Sequence, residues 1–334
     1  MFRILHDTKI DFIRYWRIAV GLTVAFVLAG MVPLVLKGIN YSIEFTGGTV
    51  VQVKFAEPPG SVKLHEALRQ GGLPDAEAVQ FGGESEYVIK AREAETTQSG
   101  GAEGVAAKIQ AALTAAFGDK FHVEQTDAIG GRVGSELARG ALIAILVSFG
   151  ITLAYLAWRF EWRFGVAAVA ATAHDIFATL AFIKLLNLEV SLTVIAGILT
   201  VIGYSLNDTI IIFDRVRENL HKTRRESLYD LLNRSVNETL PRSVLTHTTA
   251  LAATLTLLIW GGETIRPFAW VMSFGIFTGT FSSVYIASPV LLWIEHKFPR
   301  AEGAARVRAA SAPAAAGSPA KPAPRGRQQK SPAN

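Results

Sequence analysis

Cysteine is absent from all 334 residues, so the chain has neither a disulfide framework nor a thiolate metal site. Charge is sparse too, with Asp, Glu, Lys and Arg at 18% of the chain against 50% hydrophobic residues. No motif pairs a nucleophile with a base, and no cluster has metal-ligand spacing. The paired-glycine stretch FTGGT, Phe45 to Thr49, is followed by neither a helix nor the lysine that a phosphate loop requires. These absences argue against a hydrolase or an ATP-driven engine, and no cofactor is expected. The glycine pair reads instead as a bulge or a tight backbone approach.

Long apolar runs are abundant. Stretches of roughly 17–25 residues, enough to cross a bilayer as helices, fall at about 17–36, 138–158, 164–184, 190–213, 244–260 and 268–293. The first is preceded by Arg3, Lys9, Arg14 and Arg17 and shows no small-residue cleavage pattern before Lys37, so it reads as a retained anchor. Lys and Arg crowd the N-terminus, the turn with Arg159 and Arg163, the loop with Arg215, Arg217, Lys222, Arg224, Arg225 and Arg234, and the C-terminal tail. The alternate short loops hold only Lys184 and Arg266. The positive-inside bias then puts both termini in the cytoplasm. The expected layout is a cytoplasmic segment 1–16, a first span 17–36, an exported domain 37–135, spans two to six within 136–298, and a tail 299–334.

The exported segment is long enough to fold alone. It reads as a strand from Glu44 to Phe55, a helix begun by Ser61, short strands at Ala78–Phe81 and Tyr87–Ala91, a helix at Gly104–Phe117 and a last strand at His122–Thr126. This βαββαβ order predicts a ferredoxin-like α+β domain, so the fold class is a polytopic α-helical membrane protein with six spans and one periplasmic α+β domain. Gly82-Gly83 marks a turn, and AETTQSGGAEG reads as a flexible loop. The Ala/Pro-rich basic tail lacks apolar periodicity and reads as disordered and solvated, with contact to anionic lipid or ribosomal RNA as the lesser reading.

Ionisable groups within the spans carry the functional signal. Asp208 sits inside the run from Thr193 to Phe213, where a carboxylate costs on the order of 2.5–3.5 kcal/mol at a helix centre. Stepping back by three or four gives Tyr204, Thr200, Gly197 and Thr193, a small and polar face that should turn toward other helices. The third span repeats the pattern with Ala168, Thr172, Asp175 and Thr179, and places His174 beside the carboxylate. The fifth span begins Pro241-Arg242-Ser243 and runs through His247. Arg242 is the obvious counter-ion for Asp208, which lies roughly 8 Å inside the cytoplasmic end of its helix at 1.5 Å per residue. His247 reads as structural, and Asp214 as a solvated interfacial charge. In the last span Gly275, Gly279 and Ser283 recur at fourfold spacing, which favours close helix packing.

The runs IEFTGGTVVQV, VGSELARGALIAILVSFGITLAYLAWRFEWRFG and above all GYSLNDTIIIFDRVREN, Gly203 to Asn219, resemble the SecF family over about residues 9–300. The resemblance implies a subunit that pairs with a SecD-like partner in a twelve-helix unit of the resistance-nodulation-division superfamily. It also implies association with the SecYEG channel, and use of the proton gradient to promote preprotein export across the bacterial inner membrane. It further implies proton coupling at Asp208 and Arg242; it leaves Asp175 open, and Asn207, Asp175 and His174 stand beside it as secondary candidates. No enzymatic activity and no nucleic-acid partner are expected. Lipid, unfolded preprotein and the translocon are the partners the resemblance implies, and H⁺ is the expected coupling ion. The alternative is half of a proton-driven small-molecule or lipid exporter of the same superfamily.

Overall fold

In the computed structural model, which describes residues 8–80, 83–91, 101–223 and 226–299, the apolar runs form six helices long and apolar enough to cross a membrane. The chain is a polytopic helical membrane protein. Helix α1 (Trp16–Lys37) and helix α5 (Gly131–Arg159) are apolar nearly all round, with Ile18, Leu22 and Leu36 on the first and Leu146 and Ile151 on the second exposed. Side chains of this kind are at home against lipid. Exposed Trp158, Trp162 and Trp293 mark one end of the bundle, and Trp260 the other, as amphipathic rings do at membrane interfaces.

Between these ends pack α6 (Trp162–Leu185), α7 (Leu192–Lys222), α8 (Leu228–Trp260) and α9 (Gly262–Ser282), the last continuing through a π-helical segment, Ser283–Ala287, into α10 (Ser288–Lys297). Lipid tails are as apolar as leucine, so helices in a membrane associate through close approach at small residues rather than by escaping solvent. A Cβ at Gly275 would lie 2.1 Å from Val201, one at Gly279 would lie 2.9 Å from Ser205, and one at Gly30 of α1 would lie 2.4 Å from Ala181 of α6. Phe182 of α6 stacks on Phe274 of α9 at 4.1 Å. The fourfold glycine spacing of the last span thus packs it against α7, as its sequence indicates.

Two apolar cores result. One, near the end that carries both described termini, gathers Phe164, Phe213, Val216, Leu231 and Leu291; the other gathers Ile183, Val194, Val201, Val271 and Ile276. On α6, α7 and α9 the residues between these two cores are polar and buried.

The segment between α1 and α5 holds a short helix α2 (Ile43–Thr46), β1 (Gly48–Phe55), α3 (Ser61–Gln70), β2 (Glu77–Gln80), β3 (Glu86–Ala91), α4 (Gly101–Phe117) and β4 (Phe121–Ile129). The four strands form one antiparallel sheet in the order β2-β3-β1-β4, with Val51 opposite Ile89 and Thr126. Alternate strand residues Val51, Val53, Phe55, Tyr87 and Ile89 cover Leu64 and Leu68 of α3 and Ile109 and Leu113 of α4. This is the period-two pattern of a sheet with one packed face.

The strand expected from Glu44 begins only at Gly48. Residues 43–46 turn as helix α2 instead, and Gly47 follows with φ +75°. The reason is contact: a Cβ on Gly134 of α5 would meet Phe45 O at 2.9 Å, and one on Gly47 would meet Gly131 at 2.6 Å. The glycine pair is therefore a close backbone approach that seats the domain on α5. Further ties are Ser42 N to Val190 O at 2.9 Å, Val190 N to Asn40 O at 2.8 Å, and the Lys90–Glu189 ion pair. Spans four and five run longer than their apolar stretches because their polar ends pack on each other, with Asn219 Nδ2 donating to Ser235 Oγ and Arg215 Nε to Glu238. Gly82, the tail beyond Pro299 and most of the polar loop lie outside the described residues, although the last residues of that loop, 101–104, belong to α4.

Candidate functional site

Asp175, Ser205, Asp208, Thr209, Ser243, Ser282 and Ser283 are all buried and form a polar layer in the bundle. A buried donor or acceptor at this depth is costly when it lacks a partner. Asp208 accepts from Ser243 Oγ of α8 at 2.6 Å through Oδ1, while its Oδ2 has no hydrogen-bond partner among the described residues. His247, one turn beyond Ser243 on the same face of α8, is buried and packs edge-on against Tyr204 with centroids 5.4 Å apart. Tyr204 in turn donates its hydroxyl to Thr246 O at 3.1 Å. The Asp208 carboxylate and the His247 imidazole are thus held between α7 and α8.

A second constellation surrounds Asp175, which is 0% exposed. One of its oxygens pairs with His174 Nδ1 at 3.0 Å, and the other accepts from Ser205 Oγ of α7 and from Ser282 Oγ of α9. The remaining ring nitrogen of His174 lies 2.6 Å from Thr23 Oγ1 of α1. Thr209 and Ser283 hydroxyls, 2.7 Å apart, link α7 to the start of the π segment. An i, i+4 pattern places Ala168, Thr172, Asp175 and Thr179 on one buried face of α6, as the sequence indicates.

The structure departs from the expected geometry at several of these residues. Arg242 is exposed on α8 and forms no ion pair with Asp208 among the described residues; the adjacent Ser243 takes that place. A one-residue step turns a helix by about 100°, enough to aim Arg242 away from the bundle and Ser243 into it. Asn207 is likewise exposed, although it precedes Asp208 in the motif. Thr200 is exposed while Gly197 packs on Phe268 and Val271, so the face drawn back from Asp208 divides between bundle and surroundings. Asp214 is half-exposed and bound by Arg159 through paired contacts of 3.1 Å. Thr23, Ser205, Ser243 and Ser282 went unread in the sequence, since a hydroxyl in an apolar span also bonds its own helix carbonyls and signals nothing by itself.

The chain matches the C-terminal family of protein export membrane proteins SecD/SecF over residues 108–297, and the SecD/SecF GG motif over residues 34–59. It is 54% identical over 321 residues to the protein translocase subunit SecF of Gemmatimonas aurantiaca, covering 95% of this chain and 96% of that one. Identity to the SecF of Vibrio alginolyticus is 37% over 304 residues, covering 90% and 96%. Among solved structures, SecDF from Thermus thermophilus, a translocon-associated membrane protein, aligns with TM-score 0.77 and 34% identity over 89% of this chain. The alignment spans 40% of that longer SecDF chain. The glycine pair seated on α5 and the aspartate-bearing α7 both fall within these matched stretches, and the chain belongs to the SecF family of protein translocase subunits.

Proposed function

We propose that this chain is the SecF half of a SecDF-type accessory complex of the Sec translocon, using the proton motive force to promote preprotein export across the bacterial inner membrane. The observation that carries the reading is Asp208, a buried carboxylate with one oxygen held by Ser243 and the other without a hydrogen-bond partner among the described residues. Such a group takes up a proton without first breaking a bond at Oδ2, and its charge state alters the contact between α7 and α8. Each charge moved through 100 mV supplies about 2.3 kcal/mol, enough to bias a conformational equilibrium tens-fold. Asp175 and His174 are secondary members of the same proton chemistry. The role is transport, not catalysis.

A partner of similar topology is supported by the exposed polar stripe of Thr200, Gly203 and Asn207 on α7 and Arg242, Thr246 and Thr249 on α8. Side chains of this kind are costly against lipid and economical against another helix. A SecD-like subunit covers them in this reading, and Arg242 then addresses the subunit interface. The βαββαβ domain is ferredoxin-like and periplasmic, both termini are cytoplasmic, and the preprotein meets the domain as it emerges from SecYEG. The test is Asp208→Asn in cells lacking the chromosomal copy. Gradient-dependent export should be lost while the protein accumulates at normal levels; export at the wild-type rate would sink the proposal.

A further inference from the structure

Asp175 is joined by side-chain hydrogen bonds to three helices: to α6 itself through His174, to α7 through Ser205 and to α9 through Ser282. His174 extends the chain of bonds to Thr23 on α1. Helix α1 leads within a few residues into Asn40 and Ser42, whose backbone bonds to Val190 tie down the start of the α+β domain. We propose that the His174–Asp175 pair is a second protonatable site that positions α1, and with it the α+β domain, in step with Asp208. This deepens the proton-coupled reading of Asp208 and rests on it.

Donor and acceptor arithmetic supplies the two states. An ionised carboxylate accepts all three bonds, whereas a protonated one has an O–H of its own to donate and must release or reverse one partner. Ser282 has an alternative in place, Gly279 O at 3.1 Å. It directly precedes the π segment Ser283–Ala287, where the helical ladder changes register and where inserted turns frequently mark functional sites. On the other side, a neutral His174 with its proton on Nδ1 accepts from Thr23 at Nε2. A doubly protonated ring donates there, and the Thr23 hydroxyl must turn to another acceptor. A proton arriving at the pair therefore changes bonds to α9 or to α1.

The groups facing the pair are Thr23 of α1, Ser205 of α7, and Ser282 and Phe281 of α9, with Phe281 stacked near His174 at 6.3 Å and Tyr285 next to Phe281 at 5.0 Å. Asp208 lies one turn along α7 from Ser205, and its neighbour Thr209 holds Ser283. Helix α7 thus carries Asp208 and, through Ser205, a bond to Asp175, while Thr209 beside Asp208 and Asp175 itself bond the adjacent residues Ser283 and Ser282. Energetic coupling through such a network is shown only by perturbing it.

The chain, purified with its copurifying subunits and reconstituted in proteoliposomes, is spin-labelled at exposed Val62 on α3 and Leu255 on α8. The distance is measured with and without an imposed proton gradient. The wild type should show a gradient-dependent shift. Asp208→Asn and Thr23→Val should each abolish it, and Thr23→Ser, which restores the hydroxyl, should return it. Valine matches threonine in shape, so a merely structural role for Thr23 leaves the shift intact. If Thr23→Val shifts like the wild type while Asp208→Asn does not, the inference fails and the reading of Asp208 stands. A shift that survives Asp208→Asn, or a wild type with none, overturns both.

Discussion

Ser243 Oγ donates to Asp208 Oδ1 at 2.6 Å across the α7–α8 interface, and both residues are buried. A buried acceptor that loses its donor is left with the desolvation cost of the group, about 1–3 kcal/mol and more when charged. Ser243→Ala should therefore disturb the Asp208 site and change the pH dependence of gradient-driven export. Export assayed in vesicles at graded internal and external pH checks this; an unchanged profile would separate Ser243 from the proton chemistry.

Arg242 makes no ion pair with Asp208 in the chain alone and faces outward. Arg242→Ala should leave the thermal stability of the isolated subunit within about 0.5 kcal/mol, as surface substitutions usually do. The same variant should weaken copurification of its partner and reduce export in the complex. Unfolding in detergent and pull-down from membranes read the two effects separately.

Gly275 meets Val201 with no room for a side chain, whereas nothing lies within 4 Å of a Cβ at Gly140 on α5. Overpacking of a close contact costs roughly 1–3 kcal/mol. Gly275→Leu should lower the unfolding midpoint in detergent, and Gly140→Leu should not. Equal effects from both would mean that the α7–α9 approach is looser than the structure shows.

A Cβ on Gly134 would lie 2.9 Å from Phe45 O and 3.0 Å from Gly47 N, tighter than side chains ordinarily accept. Gly134→Val should pry helix α2 from α5 and speed hydrogen exchange at residues 43–48, while β3 and α3, which share the separate domain core, stay protected. Loss of protection throughout the sheet would show that the domain depends on its seat for folding.

Asp11 sits before the first span, where the Tyr229 hydroxyl donates to it at 2.6 Å, with the Arg14 amide and Asn233 as further donors. These donors, Tyr229 foremost, hold its carboxyl below the usual 3.8. A depressed folded-state value stabilises the fold at pH above the unfolded value, and that contribution fades as pH falls through the folded one. Tyr229→Phe should raise the titration midpoint of Asp11 and release residues 8–14 at a higher pH than in the wild type. Carboxyl NMR of aspartate-labelled protein measures the first, and hydrogen exchange the second.

Much of this was readable along the chain. Six spans and the order of strands and helices in the α+β domain follow from apolar run length and from periods of 3.6 and 2, both local properties. The glycine spacing of Gly275 and Gly279 announced a close helix contact. Span ends were less legible: α8 continues through Asn233, Asn237 and Glu238 because those polar groups bond the N-terminal segment and α7, which hydropathy does not register.

His174 stood beside Asp175 in the sequence, but the partners of the buried acids on other helices were not legible. Asp208 and Asp175 stand out in any reading because a carboxylate in an apolar run is costly wherever it points. Which side chain answers each one depends on helix rotation, and a step of a single residue exchanges Arg242 for Ser243 or hides Asp208 while exposing Asn207. Sequence by itself determined that this membrane protein has six helices long and apolar enough to cross a bilayer, with acids inside two of them. Only the packing of α1, α6, α7, α8 and α9 decided that one acid is held by Ser243 and the other is joined through His174 to Thr23, because hydrogen bonds between helices are set by rotation and depth, which no single helix encodes.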